Sequence, residues 1–90
     1  MNKIKRFDAR GSLSYYRFRR RVLKRDSYQC QFPTCENTSD LEVHHIKKFS
    51  SHASLRTEDH NGITLCRSCH EKVTGKEEAY EEMFFRIVRK

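Results

Sequence analysis

The sequence contains few of the residues that build a large apolar core. Its 90 residues include no tryptophan, and only 36% of them are hydrophobic. A chain of this length buries a modest fraction of its surface, so the core alone gives little stability. The sequence also lacks internal repeats, low-complexity tracts and interdomain linkers. These absences exclude a repeat protein and predict one small domain that needs a second source of stability.

No apolar run approaches the ~20 residues that a membrane-spanning helix requires. The polar N-terminus also lacks the hydrophobic segment of a signal peptide. We therefore expect a soluble, cytoplasmic protein with no membrane partner. In a reducing compartment of that kind, paired cysteines bind metal more often than they form disulfides.

The positive charge is concentrated at the N-terminal end. The net charge is +7, and ten of the 19 Lys and Arg residues lie within residues 1–25, beside a single acidic residue, Asp8. This segregation indicates a polyanionic partner, of which nucleic acid is the commonest. A solvated basic tail is the alternative. We expect residues 1–11 to form a basic arm, followed by a helix with four phosphate-contacting side chains: Arg17, Arg20, Arg21 and Lys24.

Residues 12–90 are expected to form one small α+β domain. Ser12 or Ser14 can cap a helix that runs to about Arg25, with a basic face and an apolar face. The apolar residues of this helix form a stripe and its flanks: Leu13, Tyr16 and Leu23, then Tyr15, Phe18 and Val22.

Two strands and a short helix are predicted next. Imperfect alternation predicts a strand over Leu41–Phe49, and a polar loop over 50–60 joins it to a strand over Gly62–Leu65. The short helix is predicted from about Arg67 to Val73, ending near Gly75.

A C-terminal amphipathic helix is predicted over about residues 75–89. Thr74 and Glu77 match the capping-box pattern that begins a helix. Acidic residues crowd its start and basic residues its end, which favours the helix dipole. We expect its apolar stripe to pack in the core, and a dimer interface is the alternative. The stripe follows helical spacing: Tyr80, Met83, Phe84, Ile87 and Val88.

Four cysteines form two close pairs. Cys30 and Cys35 are separated from Cys66 and Cys69 by a gap of 30 residues. Two short knuckles from distant segments can place four thiolates around a tetrahedral zinc ion. Zinc binding would supply folding free energy to so small a domain. We therefore predict a structural Zn2+ site, with two disulfides as the alternative.

Three histidines lie between the two cysteine pairs or directly after them. His44 and His45 are adjacent, and His70 directly follows Cys69. Imidazoles bind metals and transfer protons near neutral pH, so this arrangement indicates a reactive metal site. Adjacent residues on a strand point to opposite faces, so His44 and His45 cannot easily bind one ion in the same way. For any one histidine alone, a buried hydrogen-bonding role is the alternative.

Three segments resemble, in their order, the cysteine-bearing type of HNH endonuclease. They are Arg25-Asp26-x-x-x-Cys30, Val43-His44-His45-Ile46 and Asn61-Gly-Ile-Thr-Leu-Cys66-x-x-Cys69-His70. The resemblance covers about residues 19–74. It implies a ββα-metal (His-Me finger) core, in which two antiparallel strands and a helix hold one divalent cation. Domains of this family are frequent in phage genomes and restriction systems, which implies the cytoplasm of a bacterial or phage-infected host cell.

The resemblance also implies roles for the site residues. His45 would be the general base that takes a proton from the attacking water. His44 and His70 would bind the catalytic cation, and Asn61 would orient the ring of His45. The cation would stabilise charge on the scissile phosphate and the leaving oxygen.

The sequence departs from this pattern at one point. Some relatives place a further ligand three or four residues after the last histidine, where this chain has Val73 and Thr74. Neither is a good ligand, so His44 and His70 are the two ligands that the sequence offers. Mg2+ or Mn2+ is then expected as the hydrated catalytic cation, with Ni2+ or Zn2+ as further candidates.

DNA is the partner that the resemblance implies. Lys47, Lys48 and Arg67 adjoin site residues and are predicted to hold phosphates near the cut. One active site cuts one strand, so double-strand cleavage would need a homodimer or two successive nicks. A partner protein could supply specificity. The alternative function is a non-catalytic, zinc-stapled nucleic-acid-binding module.

Overall fold

The computed structural model describes residues 11–89, which form a small α+β unit with a two-stranded sheet and three helices. Almost all of the predicted basic arm over residues 1–11 lies outside the described residues. Two 3-10 turns, Ala53–Leu55 and Asp59–Asn61, lie between the strands. The main elements are α1 (Leu13–Arg25), β1 (Leu41–His45), β2 (Gly62–Cys66), α2 (Arg67–Val73) and α3 (Glu77–Val88).

The sheet is a single antiparallel pair. Its register sets Leu41 opposite Cys66 and His45 opposite Gly62. The first strand is four residues shorter than the predicted Leu41–Phe49. It ends because the Lys47 N–H donates to the Asn61 side-chain Oδ1 at 2.8 Å instead of continuing the ladder.

The first helix packs on this sheet through a face that differs from the predicted one. Ser12 caps the helix as expected, since its Oγ accepts a hydrogen bond from the Tyr15 N–H at 3.1 Å. Phe18 and Val22 are fully buried, but the predicted stripe residues Leu13 and Tyr16 are 59% and 54% exposed. That part of the prediction was wrong because the side of α1 that faces the sheet carries Tyr15, Phe18 and Val22.

A buried ion pair ties the end of α1 to β2. Asp26 is 2% exposed and forms a double hydrogen bond with the Arg25 guanidinium. The Asp26 carboxylate also accepts the Thr64 N–H at 3.0 Å, and Arg25 donates to the Gly62 carbonyl at 2.7 Å. Because both charges are satisfied by several hydrogen bonds, their burial fixes the helix against the strand.

The last helix covers the other face of the sheet. Phe84 and Val88 are buried against a core that includes Ile46, Ile63 and Leu65, so the core interpretation of the C-terminal stripe is confirmed.

The predicted capping box of Thr74 and Glu77 was wrong. Thr74 is the C-cap of α2, where its hydroxyl donates to the His70 carbonyl at 2.8 Å, and α3 begins only at Glu77. Gly75, with φ +86°, makes the left-handed turn between the two helices.

Candidate functional site

The four cysteines come together from two segments of the chain, the loop that contains Cys30 and Cys35 and the junction of β2 and α2. Their sulfur atoms all lie within 4.8 Å of one another, and all four are free thiols. The 3.9 Å distance between the Cys35 and Cys66 sulfurs is far from the ~2.05 Å of a disulfide. Four sulfurs bound to one zinc ion at about 2.3 Å lie about 3.8 Å apart. The cluster could therefore hold a structural metal such as zinc.

The electrostatics of the cluster suit a cation. Backbone and side-chain hydrogen bonds, chiefly from the Cys69 N–H, lower the pKa of Cys66 to about 7, so its thiolate is accessible at neutral pH. Burial raises the pKa of Cys30 and of Cys69, which keeps these sulfurs protonated until a cation compensates the charge. The cluster lies where β2 passes into α2, directly before His70.

A cavity of about 230 Å³ opens beside this junction, and His44 and His70 both line it. The two ring centroids are 5.2 Å apart, with their planes at 70°. His44 is 4% exposed, and its Nε2 has no hydrogen-bond partner among residues 11–89. Burial, reinforced by the nearby His70, lowers the pKa of His44 to about 4. This imidazole is therefore neutral at pH 7 and keeps a lone pair that could bind a cation.

A carboxylate fixes the second of these rings. His70 Nδ1 donates a short hydrogen bond to Glu42 Oε1, and the Arg67 guanidinium lies 3.7 Å from the other carboxylate oxygen. The hydrogen bond from His70 lowers the pKa of Glu42. In neutral His70 the proton is then on Nδ1 and the lone pair on Nε2. Metal-binding histidines are oriented in the same way by an acceptor on the other ring nitrogen.

The His45 ring lies on the opposite face of β1, as the alternation of a strand requires. It stacks on Phe18 and Tyr15 with centroid separations of 5.2 and 5.9 Å. Its Nε2 lies 2.9 Å from the Arg56 carbonyl oxygen. Because a carbonyl only accepts, Nε2 carries the proton and Nδ1 carries the lone pair of the neutral ring. His45 also borders the cavity that His44 and His70 line.

Asn61 is fully buried and secures the chain around His45. Its side-chain amide accepts the Lys47 N–H at 2.8 Å and donates to the Lys47 and Leu55 carbonyls at 3.1 and 3.3 Å. Its backbone carbonyl accepts the Ile46 N–H at 2.8 Å. These bonds link Asn61 to His45 indirectly, since they fix the residues after His45 and the turn before Arg56.

Three residues near the histidines were not predicted as site residues from the sequence: Arg56, Glu42 and Glu77. Arg56 donates to the Phe49 carbonyl at 2.7 Å, and its guanidinium lies 4.3 Å above the Phe49 ring, which in turn packs edge-on against His45. Glu42 could have been found from its spacing, two residues before His44 on the same face of a strand. Glu77 lines the cavity from α3, and hydrogen bonds from its own N–H and that of Gly75 lower its pKa.

The residues predicted to contact DNA have different surroundings. On α1, Arg17 and Lys24 are exposed, Arg20 lies over the Tyr16 ring, and Arg21 pairs with Asp59 at 2.9 Å. Lys48 lines the cavity. Lys47 forms an ion pair with Glu81 at 2.9 Å, whereas Arg67 is exposed and lies 3.7 Å from the Glu42 carboxylate.

No helix in the described part of the chain is long and apolar enough to cross a membrane. A comparison with curated proteins and a comparison with solved structures each returned no match. A family model described as HNH endonuclease matches residues 30–76, slightly more than half of the chain. The matched segment includes the four cysteines, His44, His45, Asn61 and His70. The chain belongs to the HNH endonuclease family.

Proposed function

We propose that the protein is a metal-dependent endonuclease that hydrolyses DNA phosphodiester bonds, by nicking or by double-strand cleavage. The observation that carries the proposal is the division of two adjacent histidines around one cavity. His44 faces His70 and has a buried nitrogen without a hydrogen-bond partner in the described chain, and His45 is stacked and hydrogen-bonded on the other face. Residues 12–90 would then be a single nuclease domain with a ββα-metal core made of β1, β2 and α2.

The donor groups at the cavity fit a divalent cation. Burial of the His44 Nε2 without a hydrogen-bond partner costs folding free energy, and a bound cation would compensate this cost. His70 is oriented by Glu42 in the way that suits a metal ligand. When bound, a divalent cation would stabilise the negative charge that develops on the scissile phosphate. We expect Mg2+ or Mn2+, and the two imidazole donors also suit Ni2+ or Zn2+.

The surroundings of His45 support a role as general base. The Arg56 carbonyl keeps the proton on Nε2, so Nδ1 is the nitrogen that would take a proton from water. Phe18 and Tyr15 stack on the ring and hold its plane. A positioned base of this kind contributes about 10²–10⁴-fold to a rate. Asn61 would assist by holding the loop that carries the Arg56 carbonyl.

The cysteine cluster would act as a structural zinc site. It joins the loop that contains Cys30 and Cys35 to the junction of β2 and α2. Zinc at this junction would hold α2, and with it His70, against the strand that carries His44. A closed four-thiolate site leaves no open position, so the hydrolytic chemistry belongs to the histidine cavity.

DNA would be held mainly through its phosphates. The exposed basic side chains of α1 would supply phosphate contacts that position the duplex without reading its sequence. Lys48 lines the cavity and is the basic residue best placed to contact a phosphate beside the site. Lys47 would first have to exchange its partner Glu81 for phosphate, whereas the exposed Arg67 needs no such exchange.

Conversion of supercoiled plasmid tests the proposal. Wild-type protein, His45→Ala and the matched control His52→Ala, which alters an exposed histidine, are incubated with Mg2+, Mn2+, Ni2+ or Zn2+. We expect nicked or linear product from wild type and control with at least one ion, and none above background from His45→Ala. Intact plasmid with wild type under every ion, together with salt-sensitive DNA binding, would instead support a non-catalytic binding module.

A further inference from the structure

We propose that Glu77 is a third protein ligand of the cation that His44 and His70 bind. The proposal rests on the proposed function, because it assigns a residue to the cation site described there. His44 and His70 alone are two neutral donors, so the cation would lack a protein ligand with negative charge.

The helix that carries His70 supplies no further donor. Val73 is fully buried in the apolar core, and the Thr74 hydroxyl is engaged with the His70 carbonyl at 2.8 Å. The next residue whose side chain could bind a cation at this cavity is Glu77, which lines it together with His44 and His70.

The backbone between α2 and α3 brings this carboxylate to the cavity. Gly75 has φ +86°, and a Cβ atom there would meet nothing within 4 Å, so glycine serves the left-handed conformation and not a close approach. The turn lets α3 begin at Glu77, directly beside the end of α2. The Gly75 N–H donates to Glu77 Oε2 at 3.1 Å and thereby directs the side chain back toward α2.

The chemistry of the three groups is that of a known class of site. Two imidazoles and one carboxylate, with the remaining positions open to water and substrate, form a common donor set for catalytic divalent cations. A carboxylate adds the negative charge and the oxygen donor that hard cations such as Mn2+ and Mg2+ prefer.

The neighbouring glutamates do not line the cavity. Glu78 is exposed and is not among the residues that line the cavity, and Glu81 pairs with Lys47 at 2.9 Å. Glu78 lies next to Glu77 in the first turn of the same helix, so removing either charge has a similar effect on the helix dipole. Glu78→Gln is therefore a matched control for Glu77→Gln.

Binding of Mn2+ to the zinc-loaded protein, measured by calorimetry and by the electron paramagnetic resonance signal of free Mn2+, tests the proposal without reference to cleavage. We expect Glu77→Gln to raise the dissociation constant by about tenfold or more and Glu78→Gln to leave it within about twofold. Glu77→Asp, which keeps the charge on a shorter side chain, should give an intermediate value. Melting temperatures of the variants show that each is folded under the conditions of the titration.

The outcomes separate this proposal from the proposed function. If Glu77→Gln binds Mn2+ like wild type while His44→Ala loses it, Glu77 is not a ligand and the cation site stands. Equal weakening by Glu77→Gln and Glu78→Gln would also overturn the assignment, since it would show only a general effect of charge. If His44→Ala binds Mn2+ like wild type as well, the cation site itself is wrong.

Discussion

Gly62 lies where the structure leaves no room for a side chain. A Cβ atom added there would lie 2.8 Å from Phe18 Cζ and 2.9 Å from Val22 Cγ2. Gly62 has φ −118° and ψ 144°, an extended conformation that alanine adopts without strain, so the cost of Gly62→Ala is steric. The Phe18 ring also stacks on His45, which is the register partner of Gly62. A side chain at Gly62 that displaces Phe18 would therefore also disturb the packing of His45.

The magnitude follows from overpacking of a well-packed core. We expect Gly62→Ala to cost about 1–3 kcal/mol of unfolding free energy. This is a net value, because the smaller entropy of the unfolded alanine chain offsets about 0.4–1 kcal/mol of a larger steric cost. For a domain of this size, each 1 kcal/mol lowers the melting temperature by about 4–8 °C. Thermal unfolding of the zinc-loaded protein, followed by circular dichroism, measures the change.

A double-mutant cycle with Val22→Ala isolates the contact. Val22→Ala opens a cavity in the wild-type background but relieves a clash in the Gly62→Ala background, so it should cost less there. An unfolding free energy of Gly62→Ala within about 0.5 kcal/mol of wild type, with additive effects in the cycle, would refute the close packing of α1 on β2.

Three further predictions concern the zinc site and the cavity. Removal of zinc with a chelator, or Cys69→Ser, should abolish the cooperative thermal transition seen by circular dichroism, because zinc supplies much of the folding free energy of so small a domain; a chelated protein that melts like the zinc-loaded one would contradict the structural role. Glu42→Gln should weaken Mn2+ binding, measured by calorimetry, by about 10–100-fold without unfolding the protein, because it removes the charged acceptor of the His70 Nδ1–H. Unchanged binding would show that this carboxylate does not orient His70. Arg56→Gln should lower kcat with little change in KM in a plasmid assay, because it frees the Phe49 ring that packs against His45; a change confined to KM would point to substrate binding by Arg56 instead.

Much of the local structure was predictable because it depends on short-range patterns. The bounds of α2 agree with the predicted Arg67–Val73, and the cap of α1 is Ser12, one of the two predicted candidates. The cysteine pairs were found from their spacing, and their sulfurs do converge. The family was identified from His44, His45, Asn61 and the cysteine–histidine run, and the family model confirms it.

The errors arose where tertiary contacts override a local pattern. Thr74 and Glu77 have the spacing of a capping box, but the Thr74 hydroxyl is used to end α2 and α3 starts later. The apolar residues Leu13 and Tyr16 lie on the exposed side of α1 because the side of the helix that faces the sheet carries Tyr15, Phe18 and Val22 instead.

The residues that complete the site were hidden for a different reason. Glu42 and His70 are 28 positions apart, and His45 and Arg56 are 11 apart, so each pair is formed only by the fold. Glu77 reaches the cavity through the turn at Gly75, which joins two helices whose relative direction the sequence does not state. Sequence spacing reveals ligands on one element, whereas these contacts connect different elements.

The rate constant of DNA cleavage under single-turnover conditions, with protein in excess and Mn2+ or Mg2+ saturating, tests the central role of His45 most directly. We expect His45→Ala to lower this constant by about 10²–10⁴-fold while DNA binding and Mn2+ binding stay close to wild type. A His45→Ala protein that binds both and cleaves at the wild-type rate would contradict it.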